Sequence, residues 1–231
     1  MKKLSVLTFI AFLAFIPHLQ AQETKIELMH EAGLSNLFLR YEFGINTSSV
    51  STVEVTDAQY FPGINYSPRL NFTIESDEND STSFFSTASS FSINLNNDFY
   101  FGNFISPNLE AQSWAFSTNL SFNLNLGAGA TRDAENEFGG FMGIGYTYSN
   151  INLVNTNQLN QIIENLTADP TITPDLTKAV TPLQGIYLHM GGRMKLGSGV
   201  ITLEGYTTLS PELSGIYTFG IRTQYGFGIS L

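Results

Sequence analysis

Few residues in this chain of 231 have the types and spacing that catalysis requires. Nucleophilic or acid–base work on a peptide or lipid needs a nucleophile, a base and an orienting acid within mutual reach. Three histidines are present. His18 falls in an N-terminal segment read below as cleaved, His30 precedes the first expected strand, and His189 sits near the middle of another. Neither of the last two stands at the outer rim, where an enzyme acting on lipid would need its base, and no pair of acids is spaced for a carboxylate mechanism. The acidic turns Asp77, Glu78, Asp80 and Asp133, Glu135, Glu137 do not match the calcium-loop spacing and read as solvated turn residues. Glycines such as Gly139, Gly140, Gly143 and Gly145 lack the strand-to-helix context and lysine of a phosphate loop. No catalytic residue, cofactor or metal ligand is assigned.

The remaining chemistry-bearing residues are charges whose placement depends on the elements around them. Asn119-Leu120-Ser121-Phe122-Asn123-Leu124-Asn125-Leu126 alternates polar and apolar without a break, which in a strand puts the four apolar residues on one face. The same period recurs around Leu70, Phe72 and Ile74, and around Phe85, Phe91, Ile93 and Leu95. Eight such segments are expected, at about 34–46, 58–75, 82–96, 112–129, 137–151, 184–196, 199–209 and 215–231. Two further strands, at Lys25–Glu31 and Asp98–Ile105, would make ten. The connections alternate long (47–57, 97–111, 152–183) with short (76–81, 130–136, 197–198), the asymmetry of an outer-membrane barrel. Gly197-Ser198 suits a type II′ turn that sets Arg193 opposite Thr202, Gly191 opposite Glu204 and His189 opposite Tyr206. In the 152–183 connection, Leu159, Ile162, Ile163 and Leu166 have helical spacing, so a short helix is expected there, serving as a lid or a binding element.

Composition agrees with a chain that does not face water alone. Charged residues make up 13% and aromatics 13%, and the net charge of −10 argues against a nucleic-acid partner. Lys2 and Lys3 followed by apolar Leu4 to Ile16 and a small Ala21 read as a secretory signal peptide over 1–21, leaving one barrel domain over 22–231. With no cysteine, stability rests on packing and on hydrogen-bond closure rather than disulfides. Tyr41, Tyr60, Tyr66, Trp114, Tyr146, Tyr148 and Tyr217 are expected on the lipid-facing side toward the extracellular end, as an interfacial girdle.

The last residues, QYGFGISL, carry the most specific pattern. Through Gln224, Gly226, Ile229 and Leu231 the chain resembles the small outer-membrane β-barrel proteins of Gram-negative bacteria, particularly the "outer membrane protein beta-barrel domain" group of Bacteroidetes. In such proteins these positions form the address read by the barrel assembly machinery, although an aromatic residue is more usual where Leu231 stands. The resemblance implies an all-β, up-and-down antiparallel transmembrane barrel of about eight strands, monomeric, in the outer membrane, contacting its lipid and that machinery.

Within such a barrel the polar faces put Arg40, Glu42, Arg69, Glu75, His189, Arg193, Glu204 and Arg222 inside, together with Lys195. An interior this narrow is filled by side chains, so an internal ion-pair network is expected. The function expected is structural or surface-interacting, without catalysis. A narrow porin-like pore for ions or small molecules is the alternative, and a lipid-modifying enzyme a remote one. No extracellular partner is indicated.

Overall fold

The structure, a computed structural model, describes residues 25–46, 52–74, 89–101, 114–151, 183–210 and 216–230. Eight strands follow one another: β1 (Ile26–Asn46), β2 (Thr52–Ile74), β3 (Ser89–Tyr100), β4 (Ala115–Gly127), β5 (Phe138–Ser149), β6 (Gln184–Leu196), β7 (Gly199–Leu209) and β8 (Ile216–Ser230). Each pairs antiparallel with its neighbours, and β8 returns to β1 over Glu27↔Ser230 to Tyr41↔Ile216, so the sheet is a closed up-and-down barrel.

Register determines the width. The pairs lead from Ile26 through Phe72, Phe91, Leu124, Met142, Met190, Gly205 and Ile221 to Asn36, so one circuit from position 26 ends at position 36, a stagger of ten residues. At about 3.3 Å per residue and about 4.8 Å between strands, that stagger tilts the strands by roughly 40° and gives a backbone cylinder roughly 8 Å in radius. A cylinder of that radius is filled by its own inward side chains.

The alternation divides the residues as the period requires, with the apolar side outward. On β4, Asn119, Ser121, Asn123 and Asn125 are buried while Leu120 and Phe122 are about half exposed, at 49% and 51%. Tyr66, Trp114, Tyr146, Tyr148 and Tyr217 are exposed on the outer face, and Tyr60 is half-buried there with its hydroxyl donating to Asn36 Oδ1 at 2.6 Å. The side chain of Tyr41 lies outside the described residues. The β6–β7 hairpin has the expected register, with Arg193↔Thr202, Gly191↔Glu204 and His189↔Tyr206.

Several boundaries differ from the sequence reading. Lys25–Glu31 is no separate strand: β1 already runs from Ile26, because Ile26 and Leu28 alternate with Glu27, Met29 and Glu31 in step with the rest of the strand. Asp98 likewise continues β3, whose alternation persists through Asn96, Asp98 and Tyr100. Residues 102–105 lie outside the described residues, among which the strands number eight. The β1–β2 connection shrinks to 47–51, and 75–88 separates β2 from β3, so loop lengths alternate less cleanly than expected. The helix expected in 152–183 falls outside the described residues.

Gly197 has φ of 61°, the left-handed value that the tight turn needs and that a Cβ disfavours. A Cβ there would touch nothing, so Gly197→Ala changes backbone strain alone. The substitution is expected to lower stability by about 1–2 kcal/mol without altering the fold, measured by urea unfolding of the lipid-reconstituted protein.

Candidate functional site

Three layers of side chains occupy the barrel, and the lowest is built partly from the main chain. After β4 the chain turns inward at Gly127 and Gly129, with φ of 68° and 70°. Ala128 and Ala130 are fully buried, and the carbonyls of 129 and 130 accept from side chains of β2 and β3. Arg69 Nη2 donates to the Gly129 carbonyl at 2.7 Å, and Asn71 Nδ2 to that of Ala130 at 2.8 Å, where Ser90 Oγ also donates. The Arg132 N–H donates to Glu27 Oε2 at 2.8 Å, and Lys195 Nζ to the Ala134 carbonyl at 3.0 Å. Lys25 Nζ reaches Asp133 at 2.5 Å and Glu27 at 3.0 Å. Residues 128–134 thus form a stopper across one mouth, held by β1, β2, β3 and β6.

Above the stopper, Arg69 of β2 and Arg193 of β6 reach inward from opposite walls. Both lie 3.3 Å from Glu31 Oε1 through Nη2, and both donate to Asn125 Oδ1, at 3.2 and 2.9 Å. Arg193 also stacks its guanidinium 4.2 Å over Phe141. Two guanidiniums converge because a carboxylate lies between them and Asn125 accepts from both.

The next layer centres on Arg222 of β8. Its Nε and Nη2 donate to the two oxygens of Asp98 on β3, at 2.8 and 2.5 Å, a bidentate pair. Nη1 donates to Glu204 Oε1 on β7 at 2.6 Å and to the Tyr187 hydroxyl on β6, and the guanidinium lies 3.9 Å over Tyr206. Glu204 also accepts from Tyr187 at 2.6 Å and faces His189 Nδ1 at 3.0 Å, while His189 Nε2 lies 2.8 Å from Asn123 Oδ1. Asp98 accepts further from Asn65 at 2.9 Å and Asn119 at 3.2 Å. Arg222 and Arg69 are both fully buried. Toward the other mouth the interior becomes apolar, with Leu37, Leu39, Phe61, Ala115, Ile151 and Leu183 buried above the linked hydroxyls of Ser35, Tyr206 and Tyr100.

The structure thus places Arg69, His189, Arg193, Glu204 and Arg222 in the interior, with Lys195 at the stopper. Arg40 is a correction: it is exposed on the outer face. Parity on β1 is set by buried Glu27, Glu31 and Ser35, and it carries Leu37 and Leu39 inward, because this end of the interior is apolar. Apolar residues at 37, 38 and 39 hide that phase in the sequence. Glu42 pairs with Thr56 in the β1–β2 ladder, but its side chain, like Glu75, lies outside the described residues. Gln224 is buried and donates to Ser67 Oγ at 3.0 Å and to Asn65, and Gly226 is buried beside it on β8. Ile229 pairs with Leu28 in the closing seam, and Leu231 lies outside the described residues. His30 is on β1 rather than ahead of it, with Nδ1 2.7 Å from the Tyr66 hydroxyl.

Sequence reading left Glu27 and Glu31 ahead of the first strand and Asp98 in the 97–111 connection, save in the ten-strand alternative, and it missed the stopper. Polar residues recurring at even spacing, Glu27 and Glu31, and Asn94, Asn96 and Asp98, were the available signal for the acids, interrupted by Met29 on the inner face and Asn97 on the outer one. The run of small residues Gly127-Ala128-Gly129-Ala130 was the signal for the stopper. Among the described residues, no group of three or more His, Cys, Asp or Glu side chains is placed to hold a metal ion. The arrangement is suited to holding the strands in mutual register across the lumen.

No protein-family model and no curated protein sequence matches the chain. Solved structures similar to it include Neisserial surface protein A, at 8% identity and a TM-score of 0.39, over 88% of this chain and 97% of that one. Ail, the attachment invasion locus protein of Yersinia pestis, in complex with the heparin analogue sucrose octasulfate, is similar at 9% identity and a TM-score of 0.37, over 87% of this chain and 99% of that one.

Two predictions come from this interior. Arg222→Leu leaves Asp98 and Glu204 buried without their guanidinium, so a loss of about 3–5 kcal/mol is expected in urea unfolding. Arg222→Lys keeps the charge but not the fork, and should recover only part of that loss. At the mouth, the hydrogen bond to Lys25 holds the Asp133 carboxyl below its ordinary range, and the same bond raises the Lys25 ammonium. A lowered carboxyl contributes stability above its unfolded value and loses it as pH falls through the folded one. A raised ammonium contributes below its unfolded value and loses it as pH rises through the folded one. Asp133→Asn should therefore be slightly less stable than the parent at neutral pH. The two should converge as pH falls through the folded carboxyl's value, in thermal scans of the reconstituted protein.

Proposed function

We propose that this chain is an integral outer-membrane protein of a Gram-negative bacterium, exported by a signal peptide over residues 1–21, monomeric, and structural or surface-interacting rather than catalytic. The observation that carries this reading is the inversion of the usual protein interior. Arg69, Arg193, Arg222, Glu31, Asp98 and Glu204 are buried inside, while Leu34, Phe122, Phe138, Met142 and Leu203 stand more than half exposed outside. In water, such an outer face would exceed by far the few hundred Å² of contiguous apolar surface that soluble monomers expose. In a bilayer it is the favourable arrangement, and a ring of paired strands leaves no backbone group unsatisfied.

Further features support the same reading. Aromatic side chains at Trp114, Tyr146, Tyr148 and Tyr217 gather toward one end of the outer face, as at a membrane interface. The charge layers and the stopper favour a closed barrel over a pore. Gln224, Gly226 and Ile229 of the pattern that suggested kinship with the Bacteroidetes group lie on the strand that closes the ring, where an assembly signal would act. No cofactor is called for.

Planar-bilayer recording of the refolded protein tests the closed reading. The parent should show no steady single-channel current above background, and a folded form that migrates differently from the boiled one on a gel should accompany it. A steady current altered by Arg193→Gln or Glu204→Gln would replace this reading with the pore. A chain that stays soluble without detergent would overturn the membrane assignment.

A further inference from the structure

The outer wall of the barrel has a hollow between β4 and β7, close to the stopper. Leu126, Gly140, Gly192 and Leu203 lie side by side in register, so the two central places of that row carry no side chain. The next outward pair on the stopper side is Phe138↔Met194, and the next on the far side is Met142↔Met190. The alternation turns all eight residues to the outer face. Phe138, Met142, Met190 and Leu203 stand proud of the wall, each more than half exposed. A cavity of about 300 Å³ opens there, walled by Leu124, Leu126, Met142 and Met190 over Gly140 and Gly191.

Leucine, methionine, phenylalanine and glycine make up this hollow and its rim, with no polar or charged side chain among them, so water gains nothing by entering. Left unfilled, it would deprive its lining of dispersion contacts on one side. Its volume holds about ten water-sized groups, and a methylene is of that size. Inside a bilayer, transfer from water supplies no drive, because lipid tails are as apolar as leucine, so packing alone selects the occupant. A straight methylene chain can lie in a narrow bed between side chains, whereas a methyl-branched one is broader at every branch. Three of the five methionines, Met142, Met190 and Met194, stand around the hollow, and their unbranched side chains adapt to what lies between them. Two copies of the barrel meeting here about a two-fold axis would set hollow against hollow and leave the space unfilled.

We propose that the hollow over Gly140 and Gly192 binds one straight acyl chain of a phospholipid from the leaflet on the stopper side. Recognition is by chain shape rather than by headgroup, and the bound chain exchanges more slowly than its neighbours. The site rests on the outer-membrane reading above.

The test uses the full mature protein in nanodiscs in which straight-chain dimyristoyl phosphatidylcholine is exchanged stepwise for methyl-branched diphytanoyl phosphatidylcholine, the headgroup staying the same. The methyl carbons of Met142 and Met190 report by NMR, and Met29, buried inside the barrel, is the control. Indiscriminate contact moves the two signals in proportion to composition. A preference of about tenfold instead puts the midpoint near one straight-chain lipid in about eleven. Gly192→Leu fills the hollow: a Cβ at 192 has no neighbour nearer than 4.0 Å, so the wall keeps its shape. That variant should fold as the parent does and return the midpoint to about one half. A parent midpoint already at equal composition would overturn the proposal, as would a preference that survives Gly192→Leu, or a dimer that this substitution dissociates. Gel mobility of the same preparations separates the two readings. A heat-modifiable barrel indifferent to chain shape overturns only the acyl-chain site, whereas a protein that stays soluble without detergent overturns the membrane assignment as well.

Discussion

The seam between β1 and β8 is the constraint from which the remaining structure follows. An antiparallel sheet that ends in free edges can take any width, but one that returns on itself must accept the stagger at which its first and last strands meet. Here that stagger is ten residues, and it sets strand tilt and interior radius together. The interior is then narrow enough for side chains to fill and too wide to be closed by methyl groups, so long side chains cross it. Arginine suits that span, because its stem reaches the axis and its planar head meets several acceptors at once. The bidentate Arg222–Asp98 pair and the convergence of Arg69 and Arg193 on Glu31 follow from this geometry.

The cross-lumen layers divide the labour along the axis. Near the stopper, backbone carbonyls of small residues supply acceptors that side chains alone would not. In the middle, carboxylates from β3 and β7 neutralise Arg222, and the tyrosines stack against its faces. At the far end the interior changes to leucine, phenylalanine and tyrosine, a composition that lets strands leave the ring without stranding buried charge. A buried ion pair contributes less to stability than its Coulomb energy suggests, but losing one member is costly. These networks therefore act chiefly against wrong registers, each of which would separate charges that only this pairing brings together.

How much of this was legible in the sequence depended on local phase. Where polar and apolar residues alternate strictly, as in Asn119–Leu126, both the strand and its buried face were evident. The Gly197-Ser198 turn fixed the β6–β7 register, and with it the positions of Arg193, His189 and Glu204. Where three apolar residues adjoin, as at Leu37-Phe38-Leu39, phase is lost, and Arg40 was assigned to the wrong side. Phase also slips where like residues adjoin, as at Leu28-Met29, His30-Glu31 and Asn96-Asn97-Asp98, which is why the start of β1 and the end of β3 were missed along with Glu27, Glu31 and Asp98. The stopper depends on partners from four strands distant in sequence, and no local pattern encodes such a meeting beyond the small size of its residues.

The stopper and the arginine layers have a consequence for the time course of folding. Arg222 finds Asp98 across 124 positions of chain, Ser35 meets Tyr206 across 171, and the Arg132 amide meets Glu27 across 105. Few of the contacts that define the interior are local, so little of it can form before the ends of the chain have come together. High contact order of this kind makes closure slow and strongly cooperative. An unclosed chain presents apolar strand faces and unpaired edges throughout that interval, and is open to aggregation until the ring shuts.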